Sequence, residues 1–165
     1  MVRLRYLLPI ILVILGILAY YCFLPSEEKK IKKQFALLAE AASKKGQENP
    51  LAIAQKMGQI RSLFSEKVNL IVPYYNLAGD FTRRDVVNYA TRARLSFSTL
   101  SLRFYDFHID LLRGNTAGIN LTGRLKGISS KGDEVDEIRE LACVLKKIDD
   151  QWRFSKIEVV QVLKK

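Results

Sequence analysis

The stretch LFSEKVNLIVPYYNLAGDFTRRDVVNYA, residues 63–90, decides the fold. Within it, KVNLIVP (67–73) sets Val68, Leu70 and Val72 at every second position, which predicts a short strand with one buried face. NLAGDF (76–81) reads as a loop. Thr82 and Asp85 form a T-x-x-D capping box, so a helix opens there. Its buried face is expected to carry Val86, Tyr89, Ala90, Ala93 and Phe97.

Upstream, two more helices are predicted. Asn49 is a natural N-cap and Pro50 a natural first helical residue; Ile53, Met57, Ile60 and Phe64 form the apolar stripe. Before it, Ser26 caps a helix whose first turn holds Glu27 and Glu28. Ile31, Phe35, Leu38 and Ala42 recur along that helix at helical spacing, and Gly46 is expected to end it.

After about residue 98 the pattern changes to four strand-like runs, 99–112, 117–128, 134–148 and 151–163. RGNT, SSKGD and DD break them with turn chemistry. Helices first and long strands after give an α+β class: about three helices packed on a mostly antiparallel sheet.

The N-terminus has a different solvent. Residues 6–24, YLLPIILVILGILAYYCFL, carry no charge and have the length of a membrane-crossing helix. A cleaved signal peptide fits less well, because Tyr-Tyr-Cys-Phe-Leu follows directly on Ala19, the possible cleavage point. The same two tyrosines before Cys22 argue against lipidation. The reading is a single-pass anchor at the cytoplasmic membrane with the C-terminal domain on the extracytoplasmic side, the usual form of a signal-anchor with a short tail. The organisation is then 1–25 tail and anchor, 26–48 amphipathic connection, and 49–165 domain.

Charge and cysteine content exclude several classes. The net charge is +10, of which +4 flanks the anchor and +6 is spread over residues 34–165. No helix-turn-helix, zinc-finger or ribonucleoprotein motif organises it, so nucleic acid is not an expected partner. Lys29–Lys33 form a weaker candidate for contact with anionic lipid. Cys22 and Cys143 make neither a disulfide framework nor a zinc site. No phosphate-binding, dinucleotide-binding or serine-hydrolase motif is present. No cofactor is implied.

The 63–90 stretch, together with the ending DDQWRFSKIEVV (149–160), resembles the nuclear transport factor 2-like superfamily, also called SnoaL-like or cystatin-like. The resemblance covers residues from about 30 to 163. It implies a cone, in which a strongly curved sheet carries helices across its open face, often with a pocket between them and a dimer through the convex face. Its members include isomerases, dehydratases, cyclases, binding modules and secretion-system scaffolds, so function has to be argued from the site. None of the family's catalytic positions can be matched residue by residue.

Two candidate sites stand out. Asp106, His108 and Asp110 alternate along one strand and hold the only histidine. Tyr105, Phe107, Ile109 and Leu111 are expected on the opposite, inward face, leaving the Asp-His-Asp row outward as an ordinary polar face. A turn on Gly114-Asn115-Thr116 would pair Ile109 with Leu121, Tyr105 with Leu125, His108 with Thr122, and Asp106 with Arg124 as a cross-strand ion pair. Upstream, Leu100, Leu102 and Phe104 have the other parity, so a bulge is expected near Phe104-Tyr105; were it later, His108 could turn inward.

The second candidate is an aromatic set, Tyr74, Tyr75, Phe81, Tyr89, Phe97, Tyr105, Phe107 and Trp152, which could line a pocket for an apolar ligand or simply pack the core. Asp80 and Asp85 are the acids nearest to it, although capping gives Asp85 a sufficient role. A Cys143–His108 nucleophilic pair is conceivable, but Cys143 sits among apolar residues.

The expected function is therefore a membrane-tethered, non-catalytic binding or protein-interaction domain, partnered by the bilayer through residues 6–24 and by an envelope protein or a small apolar ligand. The alternatives are an isomerase- or dehydratase-type enzyme and a single-pass scaffold subunit of a secretion or envelope complex.

Overall fold

The computed structural model describes residues 26–112 and 114–162, the side chains of residues 75, 161 and 162 excepted. The expected anchor, 6–24, lies outside the described residues. Among those described, no helix is long and apolar enough to cross a membrane. The chain divides into two compact units, Met1–Lys30 and Ile31–Lys165. In the first, the Ser26 hydroxyl accepts the Lys29 N–H at 3.3 Å, as its capping role requires, and Lys30 pairs with Glu27 at 2.8 Å.

Among the described residues three α-helices form: α1 (Glu27–Ala42), α2 (Pro50–Leu63) and α3 (Arg83–Leu95). The strands are β1 (Lys44–Lys45), β2 (Phe64–Val72), β3 (Leu77–Thr82), β4 (Phe97–Leu112), β5 (Thr116–Ser129), β6 (Glu134–Ile148) and β7 (Gln151–Val162). They make one mixed sheet in the order β1-β4-β5-β6-β7-β2-β3. All pairs are antiparallel except β2–β7.

The other two helix starts read from the sequence are present as well. Asn49 accepts the Ala52 N–H at 2.7 Å, and Thr82 with Asp85 closes a reciprocal capping box. Those hydrogen bonds, from the Thr82 hydroxyl and N–H, hold the Asp85 carboxyl below the usual carboxylate range. Gly46 does not end α1. The helix stops at Ala42, and Lys44–Lys45 leave it to pair with Leu100 and Thr99.

All of NLAGDF after Asn76 is strand rather than loop. It pairs antiparallel with β2, from Val72↔Leu77 to Lys67↔Thr82. The loop reading missed the alternation of half-buried Leu77, Gly79 and Phe81, which is interrupted by turn-type residues. The turn itself is the short 3₁₀ segment Pro73–Tyr75, ended by Asn76 in the left-handed region at φ 51°.

The core lies between the helices and the inner face of the sheet. Phe35 of α1, 1% exposed, meets Phe104, Phe107 and Phe154 edge-on at 5.3, 5.2 and 4.8 Å between ring centroids. Ile31, Ile60, Val68, Ile119, Leu145 and Trp152 complete the same cluster. Full burial of one such side chain stabilises by roughly 1.5–3 kcal/mol, and ring pairs add ~0.5–1.5 kcal/mol each. The stripe expected on α3 is only partly correct. Val86 is buried, but Ala93 and Tyr89 face solvent, and the buried residue of the last turn is Arg94.

Candidate functional site

The Asp-His-Asp row is resolved by a β-bulge. Tyr105 pairs with Thr122 and His108 with Asn120, so Asp106 and Phe107 together face Leu121. Asp106 adopts the left-handed region, φ 56°, a conformation that aspartate tolerates better than most residues. The phase change falls one residue beyond Tyr105 and before His108. Downstream of it, Phe107 and Ile109 turn towards the core, while His108 and Asp110 are exposed. Their side chains are 76% and 59% exposed and 3.7 Å apart.

Three expectations about this strand are corrected. Beyond the bulge the register differs by two residues from the one expected: Ile109 meets Ile119, not Leu121. A two-residue shift keeps every side chain on its face, so the polarity pattern could not distinguish the two registers. Tyr105 retains the upstream parity and stands on the outer face opposite Thr122, not inward. The Asp106–Arg124 ion pair is also absent. Arg124 makes a bidentate pair with Asp136 of β6, at 2.8 and 2.6 Å, and Asp106 accepts from the Thr122 hydroxyl at 3.3 Å. The Arg124 guanidinium accordingly holds the Asp136 carboxyl below its ordinary range.

The aromatic set is dispersed. Tyr74 is 72% exposed at the 3₁₀ turn. Phe81 and Tyr89 make an edge contact at 5.6 Å, with Tyr89 at the surface. Phe97 is half-buried at the start of β4. Phe107 packs on Phe35 and lies 5.8 Å beneath the Lys32 ammonium, and Trp152 is buried in the core. The side chain of Tyr75 lies outside the described ones.

Cys143 points to the core from β6, and burial pushes its thiol up to about 12. Cys143 pairs with Ile119 and Ile157 on the inner face, whereas His108 stands on the outer one, so the two make no nucleophilic couple. Among the described residues, no group of acids, histidine and cysteine could hold a metal.

A buried polar hub was not read from the sequence. Arg94, 5% exposed, donates to the carbonyls of Ala41, Ala42 and Ser43 at 2.6, 2.8 and 2.7 Å and to the Glu48 carboxylate. Lys56 donates to Glu48 and to the Ser43 carbonyl. Lys44 donates to the Phe97 carbonyl at 2.7 Å, and the Ser43 hydroxyl accepts the Leu102 N–H at 3.0 Å. Burial works to raise the Glu48 carboxyl, but the hydrogen bonds and charges of Lys56 and Arg94 outweigh it and hold it below its ordinary value. The orphan carbonyls ending α1 are satisfied by a cation, the sign that suits a helix C-terminus. This hub fastens α1, α2, α3 and β4 to one another.

The architecture matches solved structures closely and their sequences weakly. A protein of Kribbella flavida, Kfla4162, superposes with a TM-score of 0.69 at 12% identity, over 82% of this chain and 90% of that one. A presumed dehydratase of the nuclear transport factor 2-like family from Streptomyces avermitilis gives 0.65 at 13%, over 84% and 99%. The fold is that of the nuclear transport factor 2-like proteins. LinA, a hexachlorocyclohexane dehydrochlorinase, shares it too, with 0.66 at 11% over 82% and 85%. No family model matches the sequence, and no curated protein matches it.

Proposed function

We propose that this chain is a membrane-tethered, non-catalytic binding or protein-interaction domain of nuclear transport factor 2-like fold. Residues 6–24 would cross the cytoplasmic membrane of a bacterium once and hold the domain on its outer side, within reach of an envelope partner.

One observation carries the non-catalytic part. Phe35 packs edge-on against Phe104, Phe107 and Phe154 in the core between α1 and the sheet, the use expected of these rings in a packed interior. Among the described residues, the buried polar side chains are Ser65 and Arg94. A dry acid, imidazole or phenol aimed into the interior is what proton-transfer chemistry needs, and none is described there. The tether is supported by the uncharged run itself.

Alkaline phosphatase fused at the C-terminus of the full chain tests the arrangement. Activity in intact bacteria is expected. A fusion silent there, with a green fluorescent protein fusion bright instead, would reverse the orientation.

A second reading, an isomerase- or dehydratase-type enzyme, draws on the dehydrochlorinase and dehydratase among the proteins of this fold. It requires ligand access to the interior, which the emission of the buried Trp152 would report.

A further inference from the structure

The β4–β5 hairpin ends in an apolar tip that the core does not use. Leu111 and Leu112, the last two residues of β4, are 54% and 55% exposed. Successive strand residues point to opposite faces, so the tip is apolar on both of them. The β6–β7 hairpin stands beside it. Lys147 donates its N–H to the Asn115 carbonyl at 2.8 Å, and Ile148, the next residue, is also exposed. Around these two turns the described residues favour cations. Lys146 lies opposite Thr116 on one side and Arg153 on the other. With Lys147 they outnumber Asp149 and Asp150, the acids of the β6–β7 turn.

The path of the chain indicates what this tip faces. Lys32 lies 5.8 Å over the Phe107 ring, whereas the Ser43 hydroxyl accepts the Leu102 N–H at 3.0 Å. From Ser43 back to Lys32 the chain therefore advances along β4 towards Leu112. It enters the unit that starts at Ile31 from the side of the tip. Residues 25–30 are all that separate Ile31 from the uncharged run 6–24. Even fully extended, that connection spans roughly 25 Å. Leu112 is five residues beyond Phe107 along β4, ~17 Å further on the same side. The difference, ~8 Å, is about the depth of one headgroup layer. An exposed apolar tip flanked by lysine and arginine suits that layer, with the leucines beneath it and the cations at its phosphates.

We infer that the tip of the β4–β5 hairpin docks on the bilayer that holds the anchor, with Leu111 and Leu112 among the acyl chains next to the headgroups and Lys146 and Arg153 at the phosphates of anionic lipid. The inference rests on the tether proposed above and adds a second, peripheral contact. That contact would set the orientation of the domain on the membrane and turn the opposite end, with the β5–β6 turn at Lys131, away from it.

The test uses the full chain in nanodiscs of phosphatidylcholine and phosphatidylglycerol. Cys22→Ser leaves Cys143, 3% exposed, as the one native thiol. A nitrobenzoxadiazole label is attached at Leu112→Cys or, as the control, at Lys131→Cys, an exposed residue of the turn that follows β5. Lipid with a nitroxide high on its acyl chain should quench the label at Leu112→Cys at least ~3-fold more than the label at Lys131→Cys. Leu111→Asp should cut that excess at least ~2-fold, with an unshifted melting curve because the side chain it replaces is more than half exposed. Discs of phosphatidylcholine alone should lower it as well. Equal quenching at the two positions would overturn the inference. So would a blue-shifted label at Leu112→Cys that the lipid nitroxide does not quench, which would mean that a second copy or another protein covers the tip. Alkaline carbonate extraction of bacterial membranes reads the tether separately. A chain that resists extraction but shows equal quenching loses the docking alone; a chain that is extracted loses both.

Discussion

Arg94 and Glu48 form a buried ion pair, 6% and 12% exposed at their side chains, that lies at the end of α1 and closes its last carbonyls. A single planar guanidinium reaches three carbonyls and a carboxylate at once, which an ammonium cannot do. Arg94→Ala should destabilise the domain by about 3–5 kcal/mol, because it strands a largely buried carboxylate and three carbonyls. Arg94→Lys should recover less than half of that loss. Urea unfolding followed by far-ultraviolet circular dichroism measures both.

Glu48 gives the same hub a pH signature. Its folded-state value is held below the ordinary 4.5, so the unfolded chain takes up the proton first as pH falls. The contribution is fully present above that ordinary value and is lost as pH falls through the lower folded one. Glu48→Gln should therefore flatten the acid limb of the stability profile below about pH 4.5 while lowering stability at neutral pH. A parallel acid limb in parent and variant would remove Glu48 from the account.

The bulge makes a separate prediction at Asp106, whose φ is 56°. Asp106→Gly should be neutral or slightly stabilising, because glycine adopts this conformation freely. Asp106→Val should cost ~1–3 kcal/mol, the strain of a β-branched residue in the left-handed region. Thermal denaturation of the two variants compares them directly. Equal melting temperatures would mean that the strand has no bulge there.

Gly127 is required for close approach of the strands. A Cβ there would lie 2.3 Å from the Thr99 carbonyl oxygen, a main-chain atom that cannot step aside. Gly127→Ala should destabilise by about 1–3 kcal/mol and disturb the β4–β5 pairing. Amide exchange should rise first around Thr99 and Leu100. Gly132, which has open space for a Cβ and a φ of 97°, offers a control in which only backbone strain acts.

Local chemistry was the legible part of this sequence. The caps at Asn49 and Thr82 and the four long strands depend on near neighbours, and they lie where spacing placed them. What escaped depends on distant partners. Leu77–Thr82 becomes a strand only because β2 is beside it. Arg94 on an amphipathic helix reads as a solvent residue until the end of α1 meets it, 51 to 53 residues away in sequence. The His108 question turned on a bulge position that parity bracketed but could not fix. The pairing of Arg124 with Asp136 rather than Asp106 turned on which of two neighbouring strands offered the nearer acid.

Trp152, the single tryptophan, is 5% exposed within the cluster around Phe35. Its emission therefore reports on the interior of the cone. The most direct test of a filled, non-catalytic interior is to titrate the full chain with indole, naphthalene and other small aromatic compounds while recording that emission. The account predicts no saturable change in the parent chain, and a saturable one in Phe35→Ala, where removing the ring opens space at a cost of ~3–5 kcal/mol. A saturable shift or quench in the parent chain would contradict it, and would point to a substrate chamber.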